Sequence, residues 1–453
     1  MTTAWGDNRV QSSLYRYYLL VGGAVLCNIG LFTISWDVVG NITVGSFNVK
    51  VSVVLFGISL LLTLGATRFK PIALIPIWLV AVVSAMLLTL AVSSFLAENT
   101  ATAILSTLTV IVGAFVPALA VFSATQAPGR FQEMLKWLVW GAVAACVFGL
   151  YQLAAFYLGL PQFIEYNGVS GGLGRISSFS YEPAYLGYFL VLALVAALTR
   201  LSAEKSTWTQ VHIVLFLATL ILLNSRAVFL TLPLLVLWVR PVSSGLISFR
   251  KLWVTVAALS AAALLACLLV PAIPKTLVAQ FLSIFNPNEV SSNAPRLQLY
   301  DAAWTIAREH PWIGVGPSNF GLHIADLNYA QYEGVSLNKM VVNNVWLQAL
   351  MDGGVILVIL QLALVVLVIV KIYFSGGISE RILVSGWLSV VLVGGLVVSN
   401  FYDAKLWVVL ALSIVVFQSR NGASPRGIVP GPLSKRSSHI PRPKAEETAP
   451  HEK

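Results

Sequence analysis

From Tyr17 to Gln418 the chain is a succession of long apolar runs separated by short polar breaks, and this pattern sets its fold class. About 18 or more consecutive apolar residues span a bilayer as a helix, the form that satisfies every backbone polar group without water. About twelve such runs occur, at residues 17–36, 49–66, 71–95, 101–123, 136–158, 184–199, 210–224, 227–241, 251–272, 345–371, 383–400 and 402–418. Short runs such as 184–199 and 227–241 fall below that length, so ten or eleven spans would also fit. With 58% of residues hydrophobic and 10% charged, no soluble domain would use so much apolar surface. The expected fold is an all-α polytopic membrane protein of about twelve transmembrane helices, occupying residues 1–418. A large helical extracytoplasmic loop, 273–342, precedes the tenth span. Residues 419–453 form a disordered basic tail, with seven Lys or Arg, three Glu and many Pro and Ser.

Orientation follows from the lysines and arginines near the span ends. Arg9 and Arg16 precede the first span, and every second loop is basic: Arg68 and Lys70, Arg130 and Lys136, Arg200 and Lys205, Arg240 to Lys251, Lys371 and Arg381. The short loops between them are poor in Lys and Arg; 37–48 carries Asp37 alone and 96–100 carries Glu98 alone. Both termini are therefore expected on the cytoplasmic side. The net charge of +10 is mostly this topology signal, supplemented by a tail able to touch anionic lipid headgroups. No basic folded domain offers itself to a nucleic acid. Cys27, Cys146 and Cys267 all fall inside spans, where they serve as small hydrophobes and neither a disulfide framework nor a zinc site. The first apolar run is too long for a signal-peptide core and lacks an A-x-A exit, so it reads as a retained span.

Four arginines on the expected outer face run against the positive-inside bias: Arg175, Arg226, Arg296 and Arg308. Arg175 ends a glycine-rich stretch, GVSGGLGR, that lets backbone approach a ligand. Glu182 and Pro183 then open the sixth span. Glu182 reads either as a helix cap, its carboxylate meeting the positive end of the helix dipole, or as a general base. Ser180, Tyr181, Tyr185 and Tyr188 surround it with hydroxyls suited to sugar or phosphate. Arg226, in the short Asn-Ser-Arg-Ala turn, sits at the membrane boundary, where an arginine costs about 2.5–3.5 kcal/mol unless it snorkels or meets an anion.

Residues 295–309 read as a helix within the long loop. Tyr300, Ala303, Trp304 and Ala307 make an apolar arc around Arg296, with Arg308 turned to water. Asn343 and Asn344 suit a helix cap. Asn344, Gln348 and Asp352 follow at i, i+4 and i+8, a polar stripe expected to face the bundle interior.

In the expected topology spans six, eight and ten all begin on the outer face, so their positive N-terminal ends lie there together. If they converge, Arg175, Arg226, Arg296 and the Asn pair bound an anion site. The planar arginine fork matches phosphate oxygens in pairs, so a diphosphate attached to a lipid is the expected ligand. Nothing in the sequence requires a metal or another cofactor: there is no P-loop, no H-E-x-x-H and no outward acidic pair.

Several of these stretches resemble the O-antigen ligase and polymerase superfamily, bacterial enzymes that join glycans carried on undecaprenyl diphosphate. The resemblance covers roughly residues 170–360. It rests on Arg175 with Phe179 and Pro183, on Ser225-Arg226-Ala227, on Arg296 followed by WTIAREHPWIGVGPSNF, and on NNVWLQALMDGG. Its most specific element is His310-Pro311-x-x-Gly314-x-Gly316-x-x-x-Phe320. The resemblance implies that Arg226 and Arg296 engage the diphosphate, in an enzyme of the bacterial inner membrane. Its partners would be a lipid-linked glycan donor, a glycan acceptor, membrane lipids and a chain-length regulator. Ligases of the family carry a histidine where this chain has Asn343, and asparagine is no base at neutral pH; this favours a polymerase over a ligase. A transporter or flippase would concentrate its charges near the midplane, whereas here the conspicuous charges cluster at the outer boundary and Asp352 is the main exception. A scaffold without activity is the remaining reading.

Overall fold

The computed structural model describes residues 4–44, 47–126, 129–164, 169–170, 173–223, 225–243, 294–326, 340–399 and 401–420. Thirteen helices can be followed through them: α1 (Ala4–Phe32), α2 (Val51–Thr67), α3 (Ile77–Leu96), α4 (Thr100–Ala124), α5 (Arg130–Leu158), α6 (Pro183–Ala203), α7 (Thr207–Leu222), α8 (Arg226–Ser243), α9 (Ala294–Glu309), α10 (Phe320–Asp326), α11 (Val345–Tyr373), α12 (Ile378–Leu392) and α13 (Ala404–Arg420). Each expected span except 251–272 corresponds to one of these helices; that run lies outside the described residues, as do Cys267, about half of the long loop and the tail beyond Arg420. Among the described residues seven helices are long and apolar enough to cross a membrane: most of α1, with α3, α4, α5, α6, α11 and α12 extended to Leu396. α2 and α7 are apolar but shorter. Among the described residues the departures from helix include two small antiparallel hairpins, β1 (Ile42–Val44) with β2 (Phe47–Val49) and β3 (Val169–Ser170) with β4 (Leu173–Gly174).

α6 is the central post. Every residue from Leu186 to Ala197 is buried, because α5, α7, α8 and α12 surround it, and a helix apolar on all sides needs such a position. Small residues let the neighbours close in. A Cβ on Gly187 would lie 2.1 Å from Val228 of α8, and one on Gly386 of α12 would lie 2.5 Å from Val195.

α11 is broken. Gly354 has φ +66° and ψ −166°, a conformation that glycine alone adopts at low cost, and the helical ladder is interrupted there. The freed backbone groups pair with the loop that follows α9. Val315 and Gly316 donate to the Met351 carbonyl at 2.8 and 3.2 Å, and Val355 donates to the Pro311 carbonyl at 2.8 Å. Ser93 of α3 donates to the Ile313 carbonyl, and Asn319 receives the Asn99 N–H. Contact this close needs glycine: a Cβ on Gly314 would stand 2.3 Å from the Met351 oxygen, and one on Gly354 2.2 Å from Trp312 backbone. The His-Pro-x-x-Gly-x-Gly motif is thus the plug of a helix break.

Candidate functional site

One end of the bundle gathers the starts of α6, α8 and α11 around the turn Gly394–Leu396, a short 3₁₀ segment after α12. The Tyr188 hydroxyl donates to the Gly394 carbonyl at 3.0 Å, tying α6 to the turn. Val345, the first residue of α11, lies 3.1 Å from where a Cβ on Gly395 would be. The Asn344 amide donates to the Leu396 carbonyl at 3.3 Å, and its backbone N–H donates to Ser399. α8 packs on α6 through Val228 and Gly187 and also touches the turn. The three positive helix ends therefore lie side by side.

α9 closes this end from above. The Tyr300 hydroxyl reaches the carbonyls of Asn343 at 3.2 Å and Leu396 at 2.9 Å. Arg296 is one turn earlier on the same face, half-buried, and lies within electrostatic reach of both Tyr300 and Tyr188. Burial pushes the Tyr300 phenol above its ordinary value, while the Arg296 charge and a hydrogen bond with Asn344 pull the other way.

The buried face of α9 differs from the sequence reading. It is Leu299, Ala302, Ala303, Ile306 and Ala307, and Trp304 is 52% exposed. Arg308 is not simply solvated: its guanidinium lies 5.9 Å from the Trp304 ring centre, a cation–π contact. The aliphatic residues at i, i+3 and i+7 outrank the tryptophan because they fit the shallow gap above α11, whereas the large indole remains outside.

Glu182 occupies the N-cap position of α6, yet its side chain makes no capping hydrogen bond. Its backbone carbonyl receives the Tyr185 and Leu186 N–H groups, and its carboxylate is exposed. Glu182 thus stands at the cap position, where its carboxylate meets the helix dipole without a capping hydrogen bond. Asn344 does cap, accepting the N–H groups of Trp346 at 2.9 Å and Leu347 at 3.1 Å. Asn343 is in the left-handed region at φ +56°, which asparagine tolerates. The stripe turns inward: Gln348 accepts the Val342 N–H and donates to Asp352 at 2.7 Å, and Asp352 is buried.

Arg175 is half-buried in the segment leading to α6, beside Ile176, which packs beneath Gly149 of α5. Tyr181 is 40% exposed and receives a hydrogen bond from Asn41 at 3.1 Å. Arg226 opens α8, but its side chain lies outside the described residues. Arg296, Glu182, Asn343 and Asn344 thus come to one end of the bundle, together with the backbone of Arg226.

Residues 211–362 match a family model described as O-antigen ligase, about a third of the chain, running from α7 into α11. Over those residues the chain is similar to the O-antigen ligase family. No curated protein matches its sequence. The match lies within a chain whose apolar helices are those of a membrane protein. The O-antigen ligase match includes Arg226, Arg296, the helix-break plug and the Asn pair; it excludes Tyr188, Glu182 and the turn at Gly394, which the fold supplies.

Sequence reasoning also missed a buried charge cluster beside this end. Lys405, in the first turn of α13 and 4% exposed, lies 3.0 and 3.2 Å from the two carboxylate oxygens of Asp37, and 3.2 Å from Asp403. Lys50, before α2, meets Asp37 at 2.5 Å. Asp403 also caps α13 through the Lys405 N–H at 2.8 Å. Burial would raise the Asp403 pKa, but the Lys405 and Lys50 charges together with hydrogen bonds from Lys405 hold it below the usual carboxylate value. Burial would lower Lys50, and Asp37 and Asp403 instead hold it above the usual lysine value. A lysine inside an apolar span was the available signal.

Proposed function

We propose that the protein is a polymerase that joins oligosaccharide repeats carried on undecaprenyl diphosphate into O-antigen, capsule or exopolysaccharide, at the outer face of the bacterial inner membrane. The observation that carries the reading is the meeting of three helix N-termini around Gly394–Leu396 with Arg296 beside them. Three positive helix ends and an arginine fork at one place suit a diphosphate. In the reaction, a sugar hydroxyl of the incoming repeat attacks the anomeric carbon of the growing chain. The carbon–oxygen bond to the lipid diphosphate breaks, and the bond electrons leave with the diphosphate. Arg226 and Arg296 stabilise that charge, with Arg175 at the rim; loss of one such group costs about 3–4 kcal/mol of barrier. Glu182 takes the hydroxyl proton, and Tyr181 with Asn343 and Asn344 lines the approach. A single displacement inverts the anomeric centre. The carrier lipid and both glycans are the substrates, a chain-length regulator is an expected partner, and both termini are expected in the cytoplasm.

The description of the matched family favours a second reading, a ligase that moves the finished glycan to lipid A-core or another acceptor. Chain-length patterns of surface polysaccharide after Arg296→Ala or Arg226→Ala separate the two. A polymerase defect leaves single repeats, and a ligase defect leaves long chains on the carrier lipid. Normal polymer in both variants would refute the arginine site.

A further inference from the structure

The Asp37–Lys405 pair is costly where it stands. A buried ion pair is matched or exceeded in stability by apolar residues of the same volume, so packing alone gives no reason for it. A lysine in the first turn of a helix is also opposed by the helix dipole. Its three ammonium hydrogens are all used, on both oxygens of Asp37 and on Asp403. The result is one fixed geometry for Asp37, which Lys50 holds from the other side.

The backbone of Asp37 then grips the segment that leads to α6. The N–H groups of Asp37 and Val38 both donate to the Phe179 carbonyl, at 2.9 and 3.0 Å, three residues before Glu182. The Trp36 ring lies 5.3 Å from that of Phe179. On the far side Gln152 of α5 brackets Ser178, accepting its N–H at 2.7 Å and donating to its carbonyl at 3.3 Å. Ser178 itself is at φ +54°, so the segment is held in a bend it would not choose alone. Lys405 is linked in this way, through one carboxylate and one carbonyl, to the stretch that presents Tyr181 and Glu182.

We propose that Lys405 is a positioning residue for the transfer reaction: acting through Asp37, it sets the register of residues 177–182 and so the place of the Glu182 carboxylate. This rests on the role given to Glu182 above.

The test is a cycle of Lys405→Met, Glu182→Gln and the double variant. Each full-length protein is purified in lipid nanodiscs and supplied with lipid-linked repeats extracted from cells that lack it. Glu182→Gln is expected to lower kcat about 10²- to 10⁴-fold, the range for a lost general base. Lys405→Met is expected to lower kcat about tenfold or more with KM for the lipid-linked repeat within about twofold, and to shift the acid limb of the pH–rate profile. The double variant should be no slower than Glu182→Gln alone. Asp37→Asn should reproduce the Lys405→Met profile. Multiplying losses in the double variant would show that Lys405 acts independently of Glu182 and would overturn the proposal, as would a normal kcat in Lys405→Met. If Lys405→Met does not yield folded protein, Asp37→Asn combined with Glu182→Gln carries the same reading. A normal rate in Glu182→Gln would overturn the proposal and remove Glu182 from the reaction, while loss of polymer in Arg296→Ala would still support the glycan-joining reading.

Discussion

Tyr188 and Gly394 are fitted to one another: the phenol donates to the Gly394 carbonyl at 3.0 Å, and a Cβ on residue 394 would stand 2.8 Å from the ring. The junction joins the central post to the turn that α9 and α11 also grip. Gly394→Ala should push the ring off the carbonyl and lower both thermal stability and polymer formation. Tyr188→Phe keeps the packing and loses one hydrogen bond, about 1 kcal/mol. Melting of the purified variants gives the comparison, and equal midpoints for Gly394→Ala and the parent protein would contradict the fit.

Asn344 offers a way to separate capping from ligand binding. Asn344→Asp keeps the cap, since aspartate accepts the same N–H groups and suits the helix N-terminus, so stability should hold. The added negative charge falls where three positive helix ends meet, so transfer should drop at least tenfold. Asn344→Ala should cost about 1 kcal/mol of stability. Unchanged activity in Asn344→Asp would place the anion elsewhere.

The charge cluster has a defined pH window. Asp403 is held below its usual value, so its contribution is fully present above about pH 4, its unfolded pKa, and is lost as pH falls through the folded value. Lys50 is held above its usual value, so its contribution is present below about pH 10 and is lost as pH rises through its folded value. The thermal midpoint should therefore be flat from about pH 5 to pH 9. Lys405→Met removes the larger of the two charges that hold Asp403 down and leaves Lys50 in place, so the variant should lose less of its thermal midpoint than the parent protein on acidification below about pH 5.

Gly354→Ala places a methyl within 2.2 Å of Trp312 backbone and demands φ +66° of an alanine. The plug cannot then seat, and an orphaned backbone pair at that depth costs several kcal/mol. Loss of monodisperse protein in detergent is the expected result. Gly57, whose Cβ would meet nothing within 4 Å, is the control: Gly57→Ala should be neutral or slightly stabilising.

The spans, the basic alternation and the bounds of α9 were legible because each rests on local composition. The unusual arginines and the Asn pair were legible for the same reason, as residues out of place in an apolar chain. The face of α9 was misjudged, since Trp304 competes with Leu299 and Ile306 for a gap whose depth only the neighbouring helix defines. Asp37 and Lys405 stand 368 positions apart, and nothing local marks them as partners. The turn at Gly394–Leu396 was hidden inside what reads as one apolar span. The break at Gly354 was hidden too, because its cause is a loop some 40 residues upstream.

That break has a consequence for how the molecule is assembled and how it works. α11 cannot complete its own backbone pairing: the Met351 carbonyl and the Val355 N–H are satisfied only when residues 311–316 arrive. In a bilayer such groups cannot wait on water, so insertion of α11 and seating of the preceding loop are a single event. α9 is tethered in turn by Tyr300 to both α11 and the turn after α12. The segment bearing Arg296 is thus masonry and not a door, and any ligand of the proposed site must travel to the arginine.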